Sequence, residues 1–200
     1  MSGLILASTS ASRRAILDAA GVAFRAIAPD VDEDAAKAAL LAAGAGPLDV
    51  AAELASLKAI AVSRLLSGLV IGADQTLELD GALFDKPRDL AEARRTLEAL
   101  RGRAHRLHSA VAVASGGEVL WSEVVTARLT MWPFSDAFLD RYLADQGDAV
   151  LSSVGAYLIE GRGIQLFEKI EGDHFAILGL PLLPLLNYLR AVAADQVEAA

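Results

Sequence analysis

Short apolar runs alternate along this chain with longer segments in which apolar residues recur every three or four positions. The runs predict buried strands, and the longer segments predict amphipathic helices. The predicted strands are residues 4–7, 22–27, 69–71, 105–114, 118–131 and 164–170, and the predicted helices include 35–45, 48–66 and three that end at Gly21, Gly102 and Gly147, with a last one from Pro181. This alternation indicates one α/β domain over residues 1–200, with two lobes about a cleft as a further expectation.

The segment 69–87 carries the clearest chemical signal. Its apolar run ends at Gly72, and Asp74 follows two residues later. A carboxylate just beyond a buried strand is suited to act as a general base or a metal ligand, and the alternative is a turn-forming aspartate. A turn at Asp80-Gly81 predicts that the chain folds back and brings Lys86 beside Asp74.

Polar residues at the start of the first helix predict an anion site. Ser8, Ser10 and Ser12 lead into the helix, and Arg13 and Arg14 lie in its first turn. Backbone N–H groups at a helix N-terminus bind anions, and guanidinium groups match phosphate oxygens. The alternative is that the serines only cap the helix. Arginines are unfavourable near a helix N-terminus, which favours a polyphosphate site.

Two further charged candidates are ambiguous from spacing alone. The loop 29–34 holds four carboxylates, most of them expected to be solvated, and Glu33 is the candidate ligand for a magnesium-type cation. Glu53 and Lys58 lie five residues apart and do not share a helical stripe. Spacing therefore predicts that they are two exposed helix charges.

Composition restricts the class of protein. A chain of 200 residues with 54% hydrophobic residues can bury a sizeable core. The net charge of -8 argues against broad binding to nucleic acid or anionic membranes, so phosphate chemistry would depend on a few clustered cations. The chain has no cysteine, which excludes disulfides and Cys-based zinc sites but leaves oxygen-ligated metals open. No leader-like start or long apolar run is present, so we expect a cytoplasmic protein.

The sequence resembles the Maf family of nucleoside triphosphate pyrophosphatases across almost its whole length. The matching motifs are LASTSASRR at 6–14, Glu33 in the acidic loop, ELASLKA at 53–59, GADQ at 72–75, DKPRD at 85–89, GAYLIEGRG at 155–163 and GLPL at 179–182. They occur in the order and with nearly the spacing of the family. The resemblance implies an elongated, two-lobed mixed sheet with flanking helices, like the inosine triphosphate pyrophosphatases. It also implies a house-cleaning hydrolase that cleaves a nucleoside triphosphate to the monophosphate and diphosphate with Mg²⁺ or Mn²⁺.

The resemblance assigns roles by position. Asp74 matches the family's catalytic acid/base. Glu33 and Asp74 match the acidic residues of its metal site. The residues that match the phosphate site are Ser8, Ser10, Arg13, Lys58 and Lys86. This assignment reverses the spacing-based interpretation of Lys58.

The resemblance also bears on the base. Positions matching Ser12, Gln75 and Glu160 separate a thymidine/uridine branch, typically Arg, Thr and Gln, from a 7-methylguanosine branch, typically aromatic, Gln and Glu. Gln75 and Glu160 are similar to the second branch, whereas Ser12 matches neither. A homodimer is common in such folds. The family's association with septum formation leaves one alternative function, a nucleotide-binding regulator of cell division with little turnover.

Overall fold

The computed structural model describes residues 3–194 and shows a mixed α/β fold within them. The strands are Leu4–Ala7 (β1), Phe24–Ile27 (β2), Leu69–Leu79 (β3), Ala82–Phe84 (β4), Ala104–Ser115 (β5), Glu118–Met131 (β6) and Phe167–Glu171 (β7). The α-helices are Ala11–Ala19 (α1), Glu33–Ala42 (α2), Pro47–Ser63 (α3), Leu90–Leu100 (α4), Asp136–Gln146 (α5), His174–Ile177 (α6) and Leu182–Val192 (α7), with 3₁₀ turns at Gly147–Ser152 and Arg162–Leu166. The predicted α/β class is confirmed.

The strands form one mixed sheet in the order β2-β1-β3-β5-β6-β7, with β4 paired to β3. β1 runs parallel to both β2 and β3, with Leu4 opposite Phe24 on one side and Leu69 on the other. β4 pairs antiparallel to β3, and β7 pairs antiparallel to β6. β1 ends at Ala7, opposite Gly72, whereas β3 continues in the same direction to Leu79.

The chain divides into two compact units. The first contains the chain up to Gln75, His108–Thr126 and the chain from Asp173 onward, and the second contains Thr76–Leu107 and Ala127–Gly172. In the first unit, a core on one face of the sheet joins β1, α1, β3, β5 and α7; its fully buried members include Leu6, Leu17, Ile71, Val111 and Leu185. An alanine-rich cluster packs α3 against the other face of β5; it consists of Ala51, Ala55, Ala59, Ala110, Ala112 and Ala114.

The second unit has an aromatic centre. The imidazole of His105 on β5 lies 2.8 Å from the hydroxyl of Tyr157 and contacts the ring of Phe167 on β7. The hydroxyl of Tyr142 on α5 accepts a hydrogen bond from the backbone N–H of Leu158 at 3.3 Å. The segment around 156–158 is therefore attached to α5 by a side-chain hydrogen bond.

The predicted turns and helix caps are confirmed. Asp80 and Gly81 have φ values of 51° and 82° and join β3 to β4, and Gly116 and Gly117, at 60° and 88°, join β5 to β6. Positive φ at both central residues is the turn geometry that matches the twist of a hairpin. The side chains of Asp89 and Ser135 cap α4 and α5, as expected.

The predicted end of the third strand at Gly72 is wrong. β3 continues through Gly72 to Leu79, so Asp74 lies inside the strand and not beyond its end. A Cβ atom at Gly72 would lie 2.1 Å from the carbonyl oxygen of Ala55 and 2.6 Å from the backbone nitrogen of Ala59. The glycine is needed because the backbone of α3 passes directly over the strand.

Two smaller differences lie near the C-terminal end. The predicted strand 164–170 begins only at Phe167, because residues 162–166 form a 3₁₀ turn. The short helix α6, capped by Asp173, was not predicted. Four residues are too few to show a helical period in the sequence.

Candidate functional site

The serines and arginines after β1 form a connected group at the start of α1. Ser10 caps the helix by accepting a hydrogen bond from the backbone N–H of Arg13, and the buried hydroxyl of Ser8 accepts from the backbone N–H of Ser10 at 3.1 Å. The guanidinium of Arg13 donates through Nε to the carbonyl of Gly179 at 2.8 Å and through Nη1 to Ser8 at 3.5 Å. Arg13 is therefore oriented by its hydrogen bond to Gly179, with a longer contact to Ser8.

The guanidinium of Arg13 is buried close to two carboxylates. Burial lowers the pKa of Arg13, and the negative charges of Asp74 and Glu33 oppose that shift. The two carboxylates thus lie within electrostatic reach of the guanidinium.

The other two candidates on α1 are placed differently. Arg14 is exposed, and its Nη2 makes only a long contact of 3.5 Å to the carbonyl of Ser8. The hydroxyl of Ser12 donates to the carbonyl of Leu178 at 2.9 Å. Ser12 therefore already has a protein partner at the place where the resemblance expects a base contact.

Lys58 on α3 joins two carboxylates. Its Nζ lies 2.6 Å from Oδ1 of Asp74 and 2.7 Å from Oε2 of Glu33, the first residue of α2. The side chains of Lys58 and Asp74 are 6% and 12% exposed, whereas that of Glu33 is 47% exposed. The prediction from spacing that Lys58 is an exposed helix charge is wrong, because the α3 face that carries it packs on the sheet. Glu53 is exposed, as that prediction said.

The strand pleat explains why Lys58 meets Asp74. Side chains two residues apart point to the same face of a strand, so Asp74 shares the face of Gly72 that α3 covers. The contact of α3 with Gly72 is at Ala55 and Ala59, and Lys58 is next to Ala59 in sequence. Close approach of the helix at the glycine thus brings the lysine ammonium within hydrogen-bond distance of the aspartate.

Gln75 points to the opposite face of β3. Its Nε2 donates to the hydroxyl of Ser109 at 2.8 Å and lies 3.0 Å from each of the carbonyl oxygens of Ala176 and Ile177. Ser109 in turn donates to the carbonyl of Ala176 at 2.6 Å. Ser109 was not among the predicted site residues, since its only signal in the sequence is a polar residue at the start of the apolar run 110–114.

The remaining candidates, Lys86 and Glu160, belong to the second unit. Lys86 is exposed in the segment between β4 and α4, and Glu160 is exposed in the turn that precedes the 3₁₀ turn 162–166. The segment before Glu160 is attached to α5 through Tyr142 and Leu158. The pairing of Lys86 with Asp74 stays a prediction.

Asp74 and Glu33, the predicted metal ligands, both contact Lys58. Asp74 and Glu33 direct oxygen atoms at one point, the position of the Lys58 ammonium. Across residues 3–194 there is no group of three or more His, Asp or Glu side chains placed to hold a metal. Mg²⁺ usually takes only one or two carboxylates and completes its shell with waters and phosphate oxygens, so a metal at Asp74 and Glu33 stays a prediction.

Two of the histidines, His105 and His108, contact hydroxyl groups outside these clusters. His105 contacts Tyr157, and Nδ1 of His108 lies 2.9 Å from the hydroxyl of Thr126. Neither interaction is part of the clusters around Lys58 or Gln75. Among the described helices, none is both long enough and apolar enough to cross a bilayer.

Comparison with known proteins identifies the relatives of this chain. The sequence model of Maf-like proteins matches residues 3–192. The chain is 58% identical to a nucleoside triphosphate pyrophosphatase of Caulobacter vibrioides over 92% of this chain and 93% of that protein. It is 54% identical to a 7-methyl-GTP pyrophosphatase of Rhizobium meliloti over 96% of both chains. A nucleoside triphosphate pyrophosphatase of Granulibacter bethesdensis is 52% identical over 94% of this chain and 95% of its own length.

Proposed function

Because this chain belongs to the Maf family, we propose that it is a nucleoside triphosphate pyrophosphatase, a hydrolase that converts a nucleoside triphosphate to the monophosphate and diphosphate. The observation that carries the proposal is the buried Lys58, held by Asp74 and Glu33 at 2.6 and 2.7 Å. Together with Arg13, it concentrates cations and carboxylates at one place in a protein whose net charge is -8. A triphosphate of about four negative charges needs such local cations.

Asp74 is suited to take a proton from an attacking water. Lys58 occupies its Oδ1, which leaves Oδ2 to accept the proton, and the 12% exposure of the side chain admits water. A water adds at phosphorus, its proton passes to Asp74, and the bond between the α and β phosphates breaks with its electron pair on the leaving diphosphate.

Fixed cations offset the charge that moves to the leaving group. Arg13 is held by Gly179 and Ser8, so its planar guanidinium is oriented before a phosphate arrives. The family resemblance implies a phosphate-site role for Lys86 as well. Asp74 and Glu33 would hold Mg²⁺ or Mn²⁺, which when bound polarises the phosphate and neutralises its charge.

The substrate is a guanosine-type triphosphate, with 7-methylguanosine triphosphate included. Gln75 and Glu160 support this choice, and relatives that share 54% and 52% identity carry the name 7-methyl-GTP pyrophosphatase. A carboxylate at position 160 can accept two hydrogen bonds from guanine N–H groups, whereas thymine and uracil offer one. Ser12 adds no stacking, because its hydroxyl is small and bonds to Leu178. The cytoplasmic location and the homodimer stay predictions.

The alternative of a nucleotide-binding regulator of cell division is not favoured, since the relatives compared above are named as hydrolases. The two functions are separated by measuring diphosphate release from a panel of common and modified nucleoside triphosphates with Mg²⁺ and Mn²⁺. We expect metal-dependent turnover, with guanosine-type substrates preferred. Tight nucleotide binding with no diphosphate release from any substrate would contradict the enzyme proposal and support the regulator.

A further inference from the structure

The side-chain amide of Gln75 is oriented by acceptors on the protein. Its Nε2 lies within 3.0 Å of two carbonyl oxygens, those of Ala176 and Ile177. A carbonyl oxygen can only accept a hydrogen bond, so the atom that faces this pair must be the amide nitrogen. The reverse orientation would place three oxygen atoms against one another without a proton between them.

Ser109 is a third hydrogen-bond acceptor for the amide nitrogen of Gln75. Its side chain is almost fully buried, at 1% exposure, and its hydroxyl hydrogen is donated to the carbonyl of Ala176 at 2.6 Å. A hydroxyl has one hydrogen, so toward Gln75, 2.8 Å away, it can only accept. Both amide hydrogens of Gln75 are therefore committed to the protein.

The remaining polar atom of Gln75, Oε1, lies beside Gly179 and Arg13. A Cβ atom at Gly179 would be 3.9 Å from Oε1 and 3.7 Å from Nε of Arg13. Gly179 has a φ of +104°, a conformation that side chains rarely adopt, so this position stays without one. The atom that Gln75 offers next to the candidate phosphate-binding arginine is thus an acceptor.

We propose that Ser109 is a positioning residue that, with the carbonyls of Ala176 and Ile177, holds the Gln75 amide, so that Gln75 only accepts hydrogen bonds from a ligand and selects bases that present an N–H group to it. This inference rests on the proposed function and specifies one of its contacts. A base that presents a carbonyl at that point is rejected because two acceptors would face each other. Guanine offers an N1–H and a 2-amino group for this contact.

The orientation is tested without any substrate. The chain contains four glutamines and one asparagine, so a ¹⁵N spectrum shows few side-chain amides, and the Gln75 signal is the one lost in Gln75→Met. We expect its protons to exchange with solvent at least about tenfold more slowly than those of the exposed Gln165. In Ser109→Ala the exchange should accelerate about fivefold, the equivalent of one lost hydrogen bond.

The matched control is Ser56→Ala, because Ser56 also donates to a backbone carbonyl, that of Ala52 at 2.9 Å, but belongs to α3 and does not contact Gln75. It should leave the Gln75 exchange rate unchanged. Gln75 protons that exchange as fast as those of Gln165 would overturn the assigned orientation, and a rate unaffected by Ser109→Ala would overturn the positioning role of Ser109.

The consequence for the base is tested by kinetics on guanosine triphosphate, its N1-methyl analogue and inosine triphosphate, which lacks the 2-amino group. We expect kcat/KM for at least one analogue to be about tenfold or more below that for guanosine triphosphate. This difference in kcat/KM between guanosine triphosphate and the analogue should disappear in Gln75→Met, shrink in Ser109→Ala and persist in Ser56→Ala. Circular dichroism confirms that each variant is folded.

The outcomes separate this inference from the proposed function. Equal efficiency on the three substrates, or a penalty that survives in Gln75→Met, would contradict the inference while leaving the pyrophosphatase activity intact. If the wild type hydrolyses no triphosphate, the proposed function and the base contact both fall, and the exchange measurement still decides the orientation of Gln75.

Discussion

Lys58 Nζ and Asp74 Oδ1 lie 2.6 Å apart on facing surfaces of helix α3 and strand β3, with both side chains nearly removed from solvent. The pair is possible because Gly72 lets the helix backbone approach the strand. An ammonium that also bonds Glu33 at 2.7 Å balances two carboxylates with one positive charge. Arg13 also lies within electrostatic reach of both carboxylates, and the orientation of Asp74 is fixed before a substrate binds.

Asp74→Asn should abolish turnover while preserving the fold. The amide is nearly isosteric and can still accept from Lys58, but it can neither take a proton from water nor ligate a metal as an anion. We expect kcat to fall by about 10²-fold or more. Diphosphate release and circular dichroism check this, with the exposed Asp18→Asn on α1 as the control. Near-normal release from a folded Asp74→Asn protein would remove Asp74 from the mechanism.

Lys58→Met should destabilise the protein, because Asp74 would be left buried beside Glu33 without its counter-charge. We expect the free energy of unfolding to fall by about 3 kcal/mol, and Asp74→Asn in the same chain to restore part of it. Urea unfolding of both single variants and the double variant measures the coupling.

Lys169→Met is the matched control, since Lys169 makes an ion pair of similar length, 2.7 Å, with Glu171, but its side chain is 62% exposed. An exposed pair contributes about 0–1 kcal/mol. Equal losses in Lys58→Met and Lys169→Met would show that burial of the Lys58 pair has no energetic consequence.

Arg13→Lys should weaken triphosphate binding far more than Arg14→Lys. Arg13 donates a 2.8 Å hydrogen bond to the carbonyl of Gly179, and a lysine cannot reproduce its forked donors, whereas Arg14 is exposed and makes one long contact. We expect KM for the triphosphate to rise about tenfold in Arg13→Lys and less than about threefold in Arg14→Lys. Steady-state kinetics on both variants give the comparison, and the reverse order of effects would assign the phosphate contact to Arg14.

His105 should make the protein less stable in mild acid. Burial lowers the pKa of His105 to about 4, from an ordinary value of 6.5. A depressed histidine pKa gives stability that is fully present above pH 6.5 and is lost as the pH falls toward 4, because only the unfolded chain then binds the proton. Between pH 7 and pH 5 the loss should be about 2 kcal/mol.

Urea unfolding at pH 7 and pH 5 tests this, and His105→Phe should flatten the difference between the two values. His174→Phe, which changes an exposed histidine, is the control and should keep the wild-type pH dependence. A His105→Phe protein that loses as much stability as the wild type over this range would refute the role of His105.

Glu160→Gln should narrow the preference among bases. If Glu160 accepts from guanine N–H groups, the wild type hydrolyses guanosine triphosphates more efficiently than thymidine or uridine triphosphate, and the variant loses about 1 to 3 kcal/mol of that preference. The measurement is kcat/KM on the four common triphosphates and 7-methylguanosine triphosphate. Glu168→Gln, at an exposed position on β7, is the control. A wild type that prefers thymidine triphosphate, or an unchanged ranking in Glu160→Gln, would show that Glu160 does not read the base.

The sequence by itself determined the features that depend on neighbouring residues. The cap at Ser10, the helix start at Asp89 and the hairpin turn at Asp80-Gly81 were all predictable, because each rests on hydrogen bonds or backbone angles within a few positions. The motifs around Asp74 and Arg13 also named the candidate site through the family resemblance. Those residues do lie in one unit, with Lys58 and Glu33.

Only the tertiary structure decided the features that depend on contacts between distant parts of the chain. Helical spacing predicts that Lys58 is an exposed charge, and the apolar pattern predicts that a strand ends at Gly72. Both predictions are wrong for the same reason, since α3 packs over β3 at Gly72 and buries the lysine. The orientation of Gln75 likewise follows from carbonyls about a hundred positions away, at Ala176 and Ile177, which no local pattern encodes.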